Sequence, residues 1–147
     1  MKTRSQNNKG FTLIEVLVAL LVLSIGLLGL ASLQSTTVRF NHDAYLRSQA
    51  TSLAYDMADR MRANRDEVMA GSYDLGAFPG DPAVCGVVAG ASVAARDMSA
   101  WQSSLSCSLP QGVGRVVRAG STVTIGVSWD ETRGQGAAEV FEVTTGL

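Results

Sequence analysis

The chain has 147 residues, enough for one small domain and one anchoring segment, with 12 basic and 13 acidic side chains, one histidine and two cysteines. A net charge of −1 gives no basic excess for nucleic acid, and one histidine with two cysteines far from it is too small a set for a zinc site or a histidine-based catalytic group. No phosphate-binding loop or nucleophile–base pairing can be assembled from the motifs, so neither an enzyme nor a cofactor is expected.

Residues 1–10 are polar and carry Lys2, Arg4 and Lys9 without an acid, whereas Phe11 to Val38 holds a single charge, Glu15. A helix needs roughly 20 apolar residues to cover a hydrocarbon core, and Val16 to Val38 meets that with room for tilt. The basic flank directs the N-terminus to the cytoplasm and the rest of the chain to the far side. An acid at the head of such a span is costly if it enters lipid unpaired, so Glu15 is expected to meet a cation on another chain. A secretory signal would be cut after its apolar segment. Here the polar-to-apolar switch comes before it, at Gly10-Phe11.

The string Lys9-Gly10-Phe11-Thr12-Leu13-Ile14-Glu15 resembles the class III signal of type IV pilins and type II secretion pseudopilins. The resemblance implies that a prepilin peptidase cuts between Gly10 and Phe11 on the cytoplasmic face and N-methylates Phe11. It also implies that the apolar segment is kept, first as a membrane anchor and then as the core of a helical filament. An ordinary bitopic anchor with Glu15 at the headgroups accounts for neither the short basic leader nor the glycine at the switch. Losing the leader leaves nine basic against 13 acidic side chains, a charge of −4.

Past the span, Asn41 to Met69 contains no Pro or Gly, and Leu46, Ala50, Leu53, Met57, Met61 and Val68 recur mostly at gaps of three and four, the pattern of one buried helical stripe. Asp43 with Arg47, Asp56 with Arg60 and Asp59 with Arg62 are expected to pair along the helix at a few tenths of a kcal/mol each. One nearly continuous helix over residues 11–69 follows, roughly 90 Å at 1.5 Å per residue, membrane-spanning over about 11–35 and ended by Gly71. Gly26 and Gly29 admit two readings, close helix contact or a weak point; the pilin resemblance implies a melted stretch in this half of the helix.

Residues 71–92 are rich in Gly, Ala and Pro and read as a loop region with a short element around Val87. Asp97 is expected to cap a helix bearing Met98, Trp101 and Leu105, ended by Pro110 and Gly112. Val123, Ile125, Val127 and Trp129 alternate with Thr124, Gly126 and Ser128, the mark of a strand with one buried face. A polar turn over Asp130 to Gly136 leads to a strand over 137–144, and 114–119 is the expected partner on the other side. The pattern gives an α+β chain: residues 1–10 as leader, 11–69 as the long helix, and 70–147 as a head with a short helix and a small antiparallel sheet laid on the second half of the long helix.

Cys85 and Cys107 lie beyond the span, where the compartment permits a disulfide, and closing that loop stabilises a small head by roughly 3 kcal/mol. Trp101 and Trp129 read as core residues. His42 reads as a solvated position, and Asp130 and Glu131, adjacent on a strand end, point to opposite faces and make a turn rather than an acid–base pair. Arg60, Arg62 and Arg65 on the helix, with Arg115 and Arg118 in the sheet, are interleaved with acids and lack an aromatic stack, so nucleic acid is not an expected partner.

Residues 10–30, 47–65 and Val127-Ser-Trp-Asp-Glu131 further resemble minor pilins of type IV pili. This implies a low-copy structural subunit that joins other minor pilins, primes assembly of the major pilin on the inner-membrane assembly platform, supports pilus functions such as twitching motility, and can remain at the filament tip. Its implied location is the inner membrane with the head in the periplasm, surrounded by lipid until assembly, and then the pilus on the cell surface. The alternatives are a type II secretion pseudopilin and a tip adhesin or DNA-binding subunit.

Overall fold

In the computed structural model, residues 10–132 and 136–146 are described. The basic residues of the leader and the middle of the turn expected over 130–136 lie outside them. The chain divides into two units, Met1–Asn41 and His42–Leu147.

Helix α1 runs Leu13–Ala63. Within the first unit it is long and apolar enough to cross a membrane, with a mean hydropathy of 2.7 in its most apolar stretch and none of that stretch buried. Three of its hydroxyls are bonded within the helix: Ser24 Oγ donates to Leu20 O (2.7 Å), Thr36 Oγ1 to Ser32 O (3.1 Å) and Thr37 Oγ1 to Leu33 O (2.9 Å). A polar group bonded to its own helix can enter hydrocarbon without an orphaned donor. The helix passes through Gly26 and Gly29 without a break.

In the second unit, α1 buries Leu46, Ala50, Ala54, Met57, Ala58 and Met61; the expected stripe gains two alanines, while Leu53 is only half-buried and packs against the edge of the core. The helix does not continue unbroken to residue 69. Asn64 leaves helical geometry (φ −128°, ψ 49°), and a separate short helix α2 covers Arg65–Met69. Asparagine is a weak helix former, and here its side chain has a better use: Nδ2 donates to the Tyr73 hydroxyl at 3.0 Å. Gly71, with φ +85°, then stops the chain as expected, because Gly71 N donates to Val68 O and Ser72 N to Glu67 O, both 3.0 Å, a Schellman closure that needs a left-handed residue.

Helix α3 spans Val93–Ser108 and starts earlier than expected. Its cap is Ser92, whose Oγ accepts from Ala95 N at 3.1 Å, and the extra turn buries Ala94. Asp97 therefore sits inside the helix and is free for other work. Its Oδ2 accepts from the Tyr73 hydroxyl (2.7 Å) and its Oδ1 from Arg60 Nη1 (3.3 Å), while Arg60 Nε also reaches Asp56 Oδ2 (2.9 Å). These bonds tie α1, the break at Asn64, the segment after α2 and α3 into one polar network.

Strands β1 (Val113–Ala119), β2 (Thr122–Trp129) and β3 (Glu139–Gly146) form an antiparallel sheet in the order β1-β2-β3. The register sets Val116 opposite Ile125, and Ile125 opposite Val143. Val123, Ile125, Val127 and Trp129 point into one core with Met57, Met61, Trp101 and Leu105, as their alternation predicts. The outer edge of β1 is closed by two devices. Leu75 pairs with Val116, and the Gln102 amide acts as a strand surrogate, donating to Gly114 O (2.7 Å) and accepting from Gly114 N (3.1 Å). Closing an edge in this way removes a template for unwanted pairing. The architecture is the α+β pilin fold, a long N-terminal helix followed by a three-stranded antiparallel sheet.

The expected pair of Asp43 with Arg47 is absent. Arg47 Nη2 instead meets Glu139 Oε2 of β3 at 2.9 Å. An i,i+4 pair on an exposed helix gains so little that a carboxylate on the neighbouring strand readily displaces it. Asp56–Arg60 and Asp59–Arg62 form as expected, at 2.9 and 2.7 Å.

Tyr73 is almost fully buried. Burial, and then its hydrogen bond to Asp97, raise its hydroxyl above the ordinary tyrosine value. A proton held more tightly in the fold than in the unfolded chain contributes stability that is complete below about pH 10 and lost as pH climbs through the raised folded value. We expect Tyr73→Phe to cost about 1–2 kcal/mol at pH 7, since Asn64 and Asp97 each lose a buried partner. It should also flatten the decline in stability above pH 10, measured by urea unfolding of the detergent-solubilised chain. An unchanged alkaline slope would place that titration elsewhere.

Candidate processing and assembly site

Gly10, Phe11 and Thr12 precede α1 in extended or irregular backbone, which leaves the Gly10–Phe11 bond outside the helix. Helix formation starts at Thr12 for a local reason. Its carbonyl accepts from Glu15 N (3.1 Å) and Val16 N (3.3 Å), and its Oγ1 accepts from Glu15 N at 3.4 Å. Thr12 is thus the N-cap, and Thr12-Leu13-Ile14-Glu15 has the spacing of a capping box, a signal visible in the sequence although these residues read first as a processing motif.

Glu15 consequently falls in the first turn of α1, where unpaired backbone N–H groups favour a carboxylate. Glu15 stands four residues past the polar-to-apolar switch, the single charge between Phe11 and Val38. Phe11 is 81% exposed, and the residues one face further along are apolar. A shallow groove on this face is lined by Phe11, Glu15, Val16, Ala19, Leu20 and Leu23, with Ala19, one turn after Glu15, leaving room for a neighbouring backbone. The site therefore combines the Gly10–Phe11 bond in non-helical chain with one carboxylate at a helix start on an otherwise apolar surface.

The other two residues singled out in the sequence, Cys85 and Cys107, belong to the second unit, where they are bonded to each other with Cα atoms 5.0 Å apart. Among the described residues no group of His, Cys, Asp and Glu could hold a metal. His42 is exposed. Trp101 and Trp129 are buried, Trp101 Nε1 donating to Leu53 O at 2.8 Å and Trp129 Nε1 to Glu131 Oε1 at 2.9 Å. Asp130 Oδ1 accepts from Thr132 N and Oγ1, closing the turn, so Asp130 and Glu131 serve separate structural bonds.

Four of the five arginines weighed as a patch are engaged among the described residues. Arg115 pairs with Glu142 and lies over the Phe78 ring, 4.9 Å from its centroid. Arg60 and Arg62 are engaged by aspartates, and Arg118 Nη1 donates to Gly120 O.

No curated protein and no solved structure matches the chain. Residues 5–31, spanning the switch, the cap, Glu15 and most of the apolar run, match the family described as the prokaryotic N-terminal methylation motif, which supports a class III signal of the type IV pilin-like kind at this end of the chain.

Proposed function

We propose that the chain is a minor pilin of a type IV pilus, of the PilV kind, a low-copy structural subunit rather than an enzyme. The observation that carries this reading is the match over residues 5–31, in which Gly10-Phe11 abuts a capped apolar helix. Prepilin peptidase would remove residues 1–10 and methylate Phe11. The anchor would hold the head in the periplasm, and the subunit would then join other minor pilins in a complex that primes the major pilin on the inner-membrane platform. Contacts repeated head to tail by a screw operation build an open filament from such subunits. Glu15 would pair with the amine of Phe11 on a neighbouring subunit. The resemblance of residues 47–65 and 127–131 to minor pilins supports the finer assignment, and the engagement of Arg60, Arg62 and Arg115 by acids speaks against a DNA-binding head.

Mass spectrometry of the mature chain should find Phe11 at the N-terminus with one methyl, and Gly10→Glu should leave the leader attached. A mature chain beginning beyond residue 33 would mean a conventional signal peptide. A pseudopilin shares all of this N-terminal logic. Deleting the gene separates the two, since the proposal requires loss of surface pili, whereas loss of secreted enzymes with pili intact would assign the chain to a secretion system.

A further inference from the structure

The segment from Cys85 to Ala89 is fastened along α3 at three points. Cys85 is bonded to Cys107, Gly86 N donates to Ser103 Oγ at 2.9 Å, and Ala89 N donates to Ser99 Oγ at 2.9 Å. Residues 99, 103 and 107 stand four apart and form one line on α3. The buried Ala94, Trp101 and Leu105 of the same helix face the core instead. Ser103 is itself buried, although it lies on the line that the segment covers. The covering segment contributes none of the residues of the main core cluster. The segment faces solvent: its Val87 and Val88 are 55% and 54% exposed, the preceding Val84 is 70% exposed, and both Cys85 and its partner Cys107 on α3 are exposed.

We propose that residues 85–89 form a redox-released strap. While the disulfide is intact, the strap lies against α3 and presents Val84, Val87 and Val88 as a fixed apolar ledge. A dithiol of the thiol-oxidoreductase class can approach the bond between these two exposed cysteines. It reduces the Cys85–Cys107 bond, its own two thiols become a disulfide, and its two protons end on Cys85 and Cys107. Two hydroxyl–amide bonds then remain, too little to hold five residues whose side chains bury no apolar surface in the core. The strap lifts, and the head stays folded because its core lies on the opposite face of α3. The covalent link thus governs local order of the strap rather than existence of the fold.

The test uses the detergent-solubilised full chain, oxidised and after treatment with dithiothreitol. Hydrogen exchange at Gly86 and Ala89 should accelerate at least tenfold on reduction, and a protease should then cut within 84–90. Fluorescence of Trp101 and Trp129 should keep its folded signature. In the oxidised chain, Ser99→Ala with Ser103→Ala should change protease cutting within 84–90 less than threefold, because the covalent link still holds the strap. The double variant Cys85→Ser with Cys107→Ser should reproduce the opening without reductant. Strap exchange that is unchanged on reduction would overturn the proposal, as would loss of the tryptophan signature together with the strap, which would make the disulfide a staple of the whole head.

Discussion

A strain whose only copy carries Glu15→Ala is expected to make, insert and cleave the subunit normally yet to fail in building it into pili. Insertion depends on the apolar run, which the substitution leaves intact, and cleavage depends on the Gly10–Phe11 bond in the non-helical chain ahead of α1. Assembly is different, because the proposed pairing places the Phe11 ammonium of a neighbour against this carboxylate within packed helices. Removing one member of such a pair strands the other charge in a low-dielectric setting at a typical cost of several kcal/mol, enough to lower incorporation by more than a hundredfold. Glu15→Asp, one methylene shorter but still charged and still at the start of the helix, should be intermediate. Glu15→Gln separates charge from capping, since it keeps a side chain able to serve the helix start, and it should fail as Ala does. Immunoblots of sheared pili and of membranes give both readouts, and normal piliation with Glu15→Ala would reduce Glu15 to an interfacial residue.

What could be read from the sequence follows the range of the interactions involved. The apolar run, the stripe from Leu46 to Met61 and the alternation through β2 were legible because each is a periodic consequence of burying one face. Both tryptophans were legible as core for the same reason. The break at Asn64 was not, since the residue that holds it, Tyr73, bonds to it only after the chain has turned at Gly71. The start of α3 was expected at Asp97, but Ser92 caps it, and Arg60 and Tyr73 claim the aspartate from other segments. Arg47 likewise chose Glu139, 92 residues away, over Asp43 four residues away. Local spacing names the possible partners, and tertiary packing decides among them. Thr12 is the opposite case, a cap fully visible in local sequence.

The largest stability effect in the head is expected at Gly114, where the sheet meets α3. A Cβ built there would stand 2.2 Å from Trp101 Cη2, 2.4 Å from Cζ3 and 2.7 Å from Leu105 Cδ1. None of these atoms can retreat cheaply. The indole is fully buried and pinned at its other end by the bond from Nε1 to Leu53 O, and Leu105 is fully buried beside it. Moving β1 instead would break the paired bonds between the Gln102 amide and the Gly114 backbone and disturb the register with β2. Gly114→Ala should therefore cost about 3 kcal/mol or more, at the upper end of overpacking penalties, read as an earlier urea midpoint in the fluorescence of the two tryptophans. Trp101→Phe alone should also destabilise, through a cavity and a lost hydrogen bond, by about 2 kcal/mol. The two changes combined should cost less than their sum by at least 1 kcal/mol, because a smaller ring vacates the space that the new methyl needs. Strict additivity would mean that Gly114 is required by backbone conformation rather than by the tryptophan against it.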